Sequence, residues 1–397
     1  MTPASPIAAP ARVLPVLVLA QLAGTSTWFA VNAVMPDLQL AFGWAASDVG
    51  TLTSAVQLGF ITGALVFALL SVADRFSARR VFLLCSLAQT VCTLAAVYAA
   101  ESFVALCVWR ALTGFFLAGI YPVGMKIAAQ WFPRGLGAAL GLLIGALVLG
   151  SAFPHALRAL SAGWPWQSVF YSVAAIAAAA GVALFLLIPE PAHAPARAVG
   201  LQFRALWAVA GDRKVRASVL GYFGHMWELY TLWVLMPMIL ALRLSDPVAI
   251  SWWAFAALGS GALGCAVGGW IAQRAGSAPV AGVQLAVSGL CCLIAPWMLD
   301  APFVLFAIWL VVWGITISGD SPQFSALTAV NSPPALVGSV LTLTNSIGFA
   351  ISIISIQLFV SLAQHYPLAS LIPWMGLGPI LGVWALFPLL RGRKDTG

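Results

Sequence analysis

The chain has 397 residues, 62% of them hydrophobic and only 7% charged. A soluble domain has no interior large enough to hide that much apolar surface, so the composition defines a polytopic membrane protein. The net charge of +7 is not a nucleic-acid footprint, because the cations stand in short stretches between apolar runs.

Residues 1–12 read as a Pro/Ala-rich, disordered tail. The first apolar run, from Val13 to about Pro36, is too long for a signal-peptide core and is followed by many others, so it reads as a retained helix. A membrane span needs about 20 apolar residues. Twelve segments meet that length: 13–36, 48–70, 80–99, 102–130, 136–158, 167–189, 216–242, 248–272, 279–299, 302–330, 336–362 and 368–390. Helices are expected throughout, because backbone groups in lipid must be satisfied internally. The fold class is therefore an all-α membrane protein of twelve spans.

The first helix carries Gln21, Thr25, Trp28 and Asn32 at spacings of four, three and four, one polar and aromatic face. Gln57 is a lesser candidate in the second. In the fourth, Arg110 lies about 12 Å from the helix start at 1.5 Å per residue, with Gly114, Leu117 and Tyr121 continuing its face. It is either a cavity cation or an anchor for a helix contact. Lys126 and His155, near helix ends, read as snorkelling or gating groups. Gly137, Gly141 and Gly145 in the fifth helix form a small-xxx-small stripe that favours helix packing. All six cysteines (Cys85, Cys92, Cys107, Cys265, Cys291, Cys292) lie inside apolar runs without metal-type spacing, as small buried residues.

The longest polar interruption covers residues 190–215 and separates two halves, 13–189 and 216–390, with a short tail at 391–397. After it comes Gly221–Pro237, apolar enough for a bilayer yet carrying His225 and Glu228. Residues three apart share a helix face, so the two are neighbours there, with Tyr222 one turn away. Glu228 lies about 18 Å into its helix, close to mid-bilayer, where a carboxyl faces a partner or a watery cavity and can carry a proton. Asp320, on a face with Trp313, Thr316 and Gln323, is a second proton site, a partner for Arg110, or a cap on the break at Pro322. The eleventh helix repeats the rhythm of the first with Gly338, Thr342, Asn345 and Phe349.

Of the 18 Lys and Arg residues, all but Arg158, Arg243, Arg110 and Lys126 fall on one set of loops. The positive-inside rule then puts both termini in the cytoplasm. The halves are also an internal repeat. A shift of 200 residues lays 103–122 on 303–322, with Phe103/Phe303, Trp109/Trp309, Gly114/Gly314, Gly119/Gly319 and Pro122/Pro322 coincident, and Met35-Pro36 similarly falls on Met236-Pro237. The ionisable groups break this symmetry. Arg110 aligns with Leu310, Asp320 with Ile120, and Glu228 with Thr27 under a shift of 201.

The loop from Leu70 to Arg80 reads LSVADRFSARR, and here the chain resembles the major facilitator superfamily, whose motif at this place is roughly G-x-L-a-D-R-x-G-R-R. Asp74, Arg75, Arg79 and Arg80 fit it, while Leu70 and Ser77 stand where its glycines would be. The second half echoes the loop at Gly269–Ser277, with Gln273 at the acidic position and Arg274 after it. Arg110-Ala-Leu-Thr-Gly114 resembles the family's R-x-x-x-G. The resemblance implies two six-helix bundles, a site between them near mid-bilayer, alternating access, and a cytoplasmic gate at Asp74, Arg75, Arg79, Arg80 and Arg274. It implies no enzyme and no cofactor, a proton gradient as energy source, and a monomer in the plasma membrane, the inner membrane of a bacterium. Its partners are the bilayer and a small solute, with no nucleic acid.

An intramembrane metallopeptidase suggested by His225-x-x-Glu228 would need a further His at 229, where Leu stands. A channel would not need two matched halves. The substrate set expected from the residues is Arg110, Gln21, Thr25, Trp28, Asn32, Gln57, Tyr121, Tyr222 and Asn345, and the proton set is Glu228, His225 and Asp320. A cation in one half facing carboxylates in the other suits a small anionic or zwitterionic solute moved with a proton. The alternative is proton-driven export of amphipathic compounds, favoured by 17 Trp residues. The fifth-helix end, Gly150-Ser-Ala-Phe-Pro154, keeps only a broken form of the family's exporter motif.

Overall fold

The computed structural model describes residues 10–132, 136–190 and 200–391. Most of the tail at 1–12, the middle of the linker, the tail beyond Arg391, and Arg134, Arg197, Arg393 and Lys394 lie outside the described residues. Every regular element among the described residues is a helix. Eleven helices are long and apolar enough to cross a membrane. They are α1 (Val13–Phe42), α2 (Asp48–Leu69), α3 (Ala78–Tyr98), α4 (Phe103–Trp131), α5 (Gly137–Leu160), α6 (Gln167–Leu187), α8 (Pro247–Ala275), α9 (Ser277–Asp300), α10 (Phe303–Asn331), α11 (Val337–Leu362) and α12 (Leu368–Arg391). Between α6 and α8 runs α7, Arg213–Ala241, with 29 residues. It stands outside the eleven because it carries His225, Glu228 and a basic first turn. It is buried over most of its length, and a helix shielded from lipid by its neighbours need not be uniformly apolar.

Several spans are interrupted. α1 consists of Val13–Thr25 and Ala30–Phe42, joined by a non-helical turn. It extends past Pro36, where the sequence pattern suggested its end, and stops at Gly43, whose φ of 69° suits a glycine cap. α4 breaks between Leu117 and Tyr121, and α10 between Gly319 and Ser321. In both, a proline (Pro122, Pro322) opens the second segment, the position where a missing N–H costs least. The 200-residue repeat is thus visible as matched breaks.

The repeat also recurs in packing. A Cβ on Gly114 would collide with the Val56 carbonyl, and one on Gly314 with the Ala257 carbonyl. Likewise Gly63 faces the Phe115 carbonyl, and Gly264 that of Ile315. The same glycines at the same register bring α2 against α4 and α8 against α10 at backbone distance, as small residues do where van der Waals contact drives association. Gly141 and Gly145 of the fifth-helix stripe pack against Cys265 and Ala262 of α8, while among the described residues nothing stands within 4 Å of a Cβ at Gly137. We therefore expect Gly114→Val or Gly314→Val to abolish recovery of monodisperse protein, since the obstacle is backbone and overpacking costs about 1–3 kcal/mol or more. Gly137→Val should elute unchanged by size exclusion.

Within the first half, α1 packs on α5 and α6, and α3 on α4 and α6; within the second, α7 packs on α11 and α12, and α9 on α10 and α12. The halves meet along two lines, α2 with α11 and α5 with α8. A short helix, Ala205–Gly211, leads into α7. Asp212 caps α7 by accepting from the N–H groups of Lys214 (2.7 Å) and Val215 (3.0 Å). The bonds from Val215 and Lys214 hold its carboxyl below the usual aspartate range. The cap's contribution is therefore present above the ordinary aspartate pKa and fades as pH falls through the lowered one.

Candidate functional site

The contact between α2 and α11 closes at one end and opens at the other. Starting from the end with Asp48, Gly50 packs on Val360 and Ile356, Gln357 donates to Ser54 at 2.9 Å, and Ser352 donates to Gln57 at 3.3 Å. The Phe60 and Phe349 rings follow, 4.8 Å apart. Beyond them the helices part. Ala64, Phe67 and Ala68 face Gly338, Thr342 and Asn345 across a cavity of about 740 Å³ that reaches Asp74 and Lys126. The cavity between the halves thus opens on the side of the 70–80 loop.

Its floor is aromatic. Trp28 stacks on Tyr230 (5.9 Å) and Phe349 (5.5 Å) and tilts against Phe60 (5.0 Å). Phe29 continues the cluster to Tyr230 and Trp233. These rings come from α1, α2, α7 and α11, so both halves build the plug. A second, small cavity of about 40 Å³ lies against it, lined among others by Trp28, Tyr121, Tyr222, Tyr230, Ser151, Ser318 and Asn345. Four of the expected substrate residues (Trp28, Tyr121, Tyr222, Asn345) come together here. Among the described residues, no charged side chain lines this cavity, and the only ones lining the larger one are Asp74 and Lys126, which pair with each other.

The remaining candidates point elsewhere. Thr25 turns its hydroxyl to the Gln21 and Leu22 carbonyls. Asn32 donates to Thr53 at 2.9 Å, inside the first half. Gln57 reaches across to Ser352. Gln21 is fully buried beside Gly124, with its amide unpartnered. His155 is buried rather than snorkelling.

Arg110 is buried, and its guanidinium serves the break in α1. Nη1 donates to the Thr27 carbonyl at 2.9 Å and Nη2 to the Trp28 carbonyl. The break leaves these carbonyls without helical partners, and a cation at the C-terminal end of the Val13–Thr25 segment also suits the helix dipole. Gln89 joins from α3, donating to the Gly24 carbonyl at 2.9 Å.

In the second half Glu228 occupies the place of Thr27 in the α1 break. It is fully buried, and its Oε1 accepts from Ser288 Oγ (2.6 Å), Trp313 Nε1 (2.6 Å) and Cys292 Sγ (3.1 Å). Its Oε2 has no partner among the described residues. The neighbour on its own helix, His225, is not among its hydrogen-bond partners within the described residues. His225 Nδ1 lies 2.8 Å from Asp320 Oδ1, and both side chains are fully buried. Asp320 therefore pairs with His225 and not with Arg110. Ser288, Cys292 and the Trp313 indole are polar partners that sequence spacing could not assign, because they come from α9 and α10.

At the 70–80 loop, Asp74 and Arg79 are paired, with Lys126 of α4 and with the end of α6 and the start of the linker. Lys126 binds Asp74, and Arg79 binds Glu190 (3.1 Å) and the Phe185 and Ile188 carbonyls. Arg75 and Arg80 are exposed, and Arg274 lies over the Trp270 ring.

Comparison with known proteins agrees with this architecture. The sequence matches the Major Facilitator Superfamily profile over residues 17–356. The chain belongs to that superfamily, a family of membrane transporters. The crystal structure of the human organic anion transporter MFSD10 (TETRAN) superposes with a TM-score of 0.72 at 16% identity, covering 94% of this chain and 99% of that one. A bacterial homolog of the human lysosomal transporter Spinster, in an inward-facing and occupied conformation, gives 0.71 at 16% identity over 96% of each chain. At that identity the likeness shows the fold alone. No curated relative matches by sequence.

Proposed function

We propose that the protein is a secondary transporter of the plasma membrane, monomeric, with both termini cytoplasmic, and that it moves a small organic solute by alternating access coupled to protons. The observation that carries this reading is the cavity between the halves, open at the 70–80 loop and sealed by an aromatic plug to which both halves contribute. In this reading the state is inward-facing. The plug is the outer gate, and Asp74 with Arg75, Arg79, Arg80 and Arg274 closes the inner side in the opposite state. Glu228 carries the coupling proton at its vacant Oε2, and His225 with Asp320 forms a second exchangeable pair.

The lining bears on the solute. Arg110 is engaged by backbone carbonyls, and the inner cavity offers rings, hydroxyls and one amide without a free cation. That set favours an amphipathic solute with a ring or other apolar body over a small anion or zwitterion, since ring faces stack and a few polar groups orient. The test is counterflow in proteoliposomes loaded with candidate solutes of both classes. Saturable, trans-stimulated exchange of amphipathic compounds supports the reading. Non-saturating flux would reveal a channel, and exchange restricted to small anions would return Arg110 to the substrate set.

A further inference from the structure

We propose that a groove at the entrance of α7 binds one anionic phospholipid, a site separate from the solute path. The groove, of about 200 Å³, lies between the helix Ala205–Gly211, the first turns of α7 and the start of α11. Its walls are apolar, with Val209, Val219, Phe223 and Leu343 among them, and Arg216 stands in its lining. Leu220 and Ile347 on its rim are 43% and 39% exposed, so it faces outward, where an acyl chain is the available apolar occupant.

Charge says which lipid. Arg204, Arg213, Lys214 and Arg216 are all exposed between residues 204 and 216, and none lies within ion-pair distance of a carboxylate among the described residues. Three of them occupy the first turn of α7, the end at which the helix dipole disfavours cations. The local acid, Asp212, spends its carboxylate on the cap. A basic cluster alone is a topology signal. Here one member, Arg216, lines a groove that fits a chain, and Trp207 (80% exposed) and Phe203 (58% exposed), close in sequence to its wall residues Ala205 and Leu206, supply interfacial anchors. Together they suit a headgroup phosphate on the arginines with its acyl chain in the groove.

The experiment is thermal unfolding of the whole protein in nanodiscs of phosphatidylcholine carrying increasing phosphatidylglycerol, with native mass spectrometry of the detergent-purified protein. The midpoint should rise and saturate at a low phosphatidylglycerol fraction, and one phosphatidylglycerol molecule should stay bound. The triple variant Arg213→Gln, Lys214→Gln, Arg216→Gln should lose both effects, and Leu343→Trp, which fills the groove but keeps the charges, should lose the retained lipid. Inorganic phosphate should not reproduce the rise. An equal rise in the triple variant, retention unchanged by Leu343→Trp, or full stabilisation by phosphate would each overturn the proposal. Solute exchange does not enter these readouts, so they stand or fall apart from the transport reading.

Discussion

Replacing Glu228 by glutamine is expected to leave solute exchange intact and abolish accumulation driven by a pH gradient. Glu228 is sealed inside the second half, with three donors converging on Oε1 and none on Oε2. An ionised carboxylate there would leave one oxygen unpaired in an apolar surround, whereas a proton on Oε2 removes the charge without disturbing the three bonds. Glutamine keeps the shape and presents its carbonyl to Ser288, Trp313 and Cys292. If α7 moves between states with Glu228 neutral and releases its proton in only one of them, proton and solute binding are linked reciprocally. With one proton per cycle, a gradient of one pH unit sustains roughly tenfold accumulation, about 1.4 kcal/mol. The variant should fall to no accumulation while counterflow persists. His225→Ala should change the pH dependence of uptake and leave exchange in place. Gradient-driven accumulation by Glu228→Gln at the wild-type level would transfer the role to the His225–Asp320 pair.

The sequence made the helices, the repeat and the two loops legible because each is written locally: apolar length, glycine and proline at a 200-residue shift, charge between runs. The same locality misled on pairing. His225 and Glu228 share a face by spacing, yet each finds its partner on another helix, because α7 is surrounded on all sides and its neighbours α9 and α10 supply polar groups. The stripe of Gln21, Thr25, Trp28 and Asn32 reads as one face, but that spacing assumes a continuous helix, which ends at Thr25 and resumes at Ala30, and only Trp28 of the four lines the cavity. No periodicity announces that break. Its trace in the sequence is indirect: an arginine buried in the next-but-two helix with no acid to meet.

That arginine gives the second large effect. Arg110→Ala should lower thermal stability and loosen the outer gate, with little change in solute affinity. Among the described residues the guanidinium is the only donor to the Thr27 and Trp28 main-chain carbonyls, and these belong to the turn that sets Trp28 and Phe29 into the plug. Orphaning a buried carbonyl costs about 1–3 kcal/mol, and two are at stake. Because the plug draws rings from α1, α2, α7 and α11, an unfastened turn frees contacts between the halves on the closed side. Arg110→Lys retains the charge but has one point donor where the fork spans two carbonyls, so it should fall between wild type and alanine. The measurements are the thermal midpoint, the reactivity of a cysteine at Ser54 from the outer side, and solute affinity by competition. A lower midpoint and faster labelling with affinity unchanged define a positioning residue. Loss of affinity at an unchanged midpoint and labelling rate would instead make Arg110 a substrate ligand, and the small-anion reading of the cavity would then regain its cation.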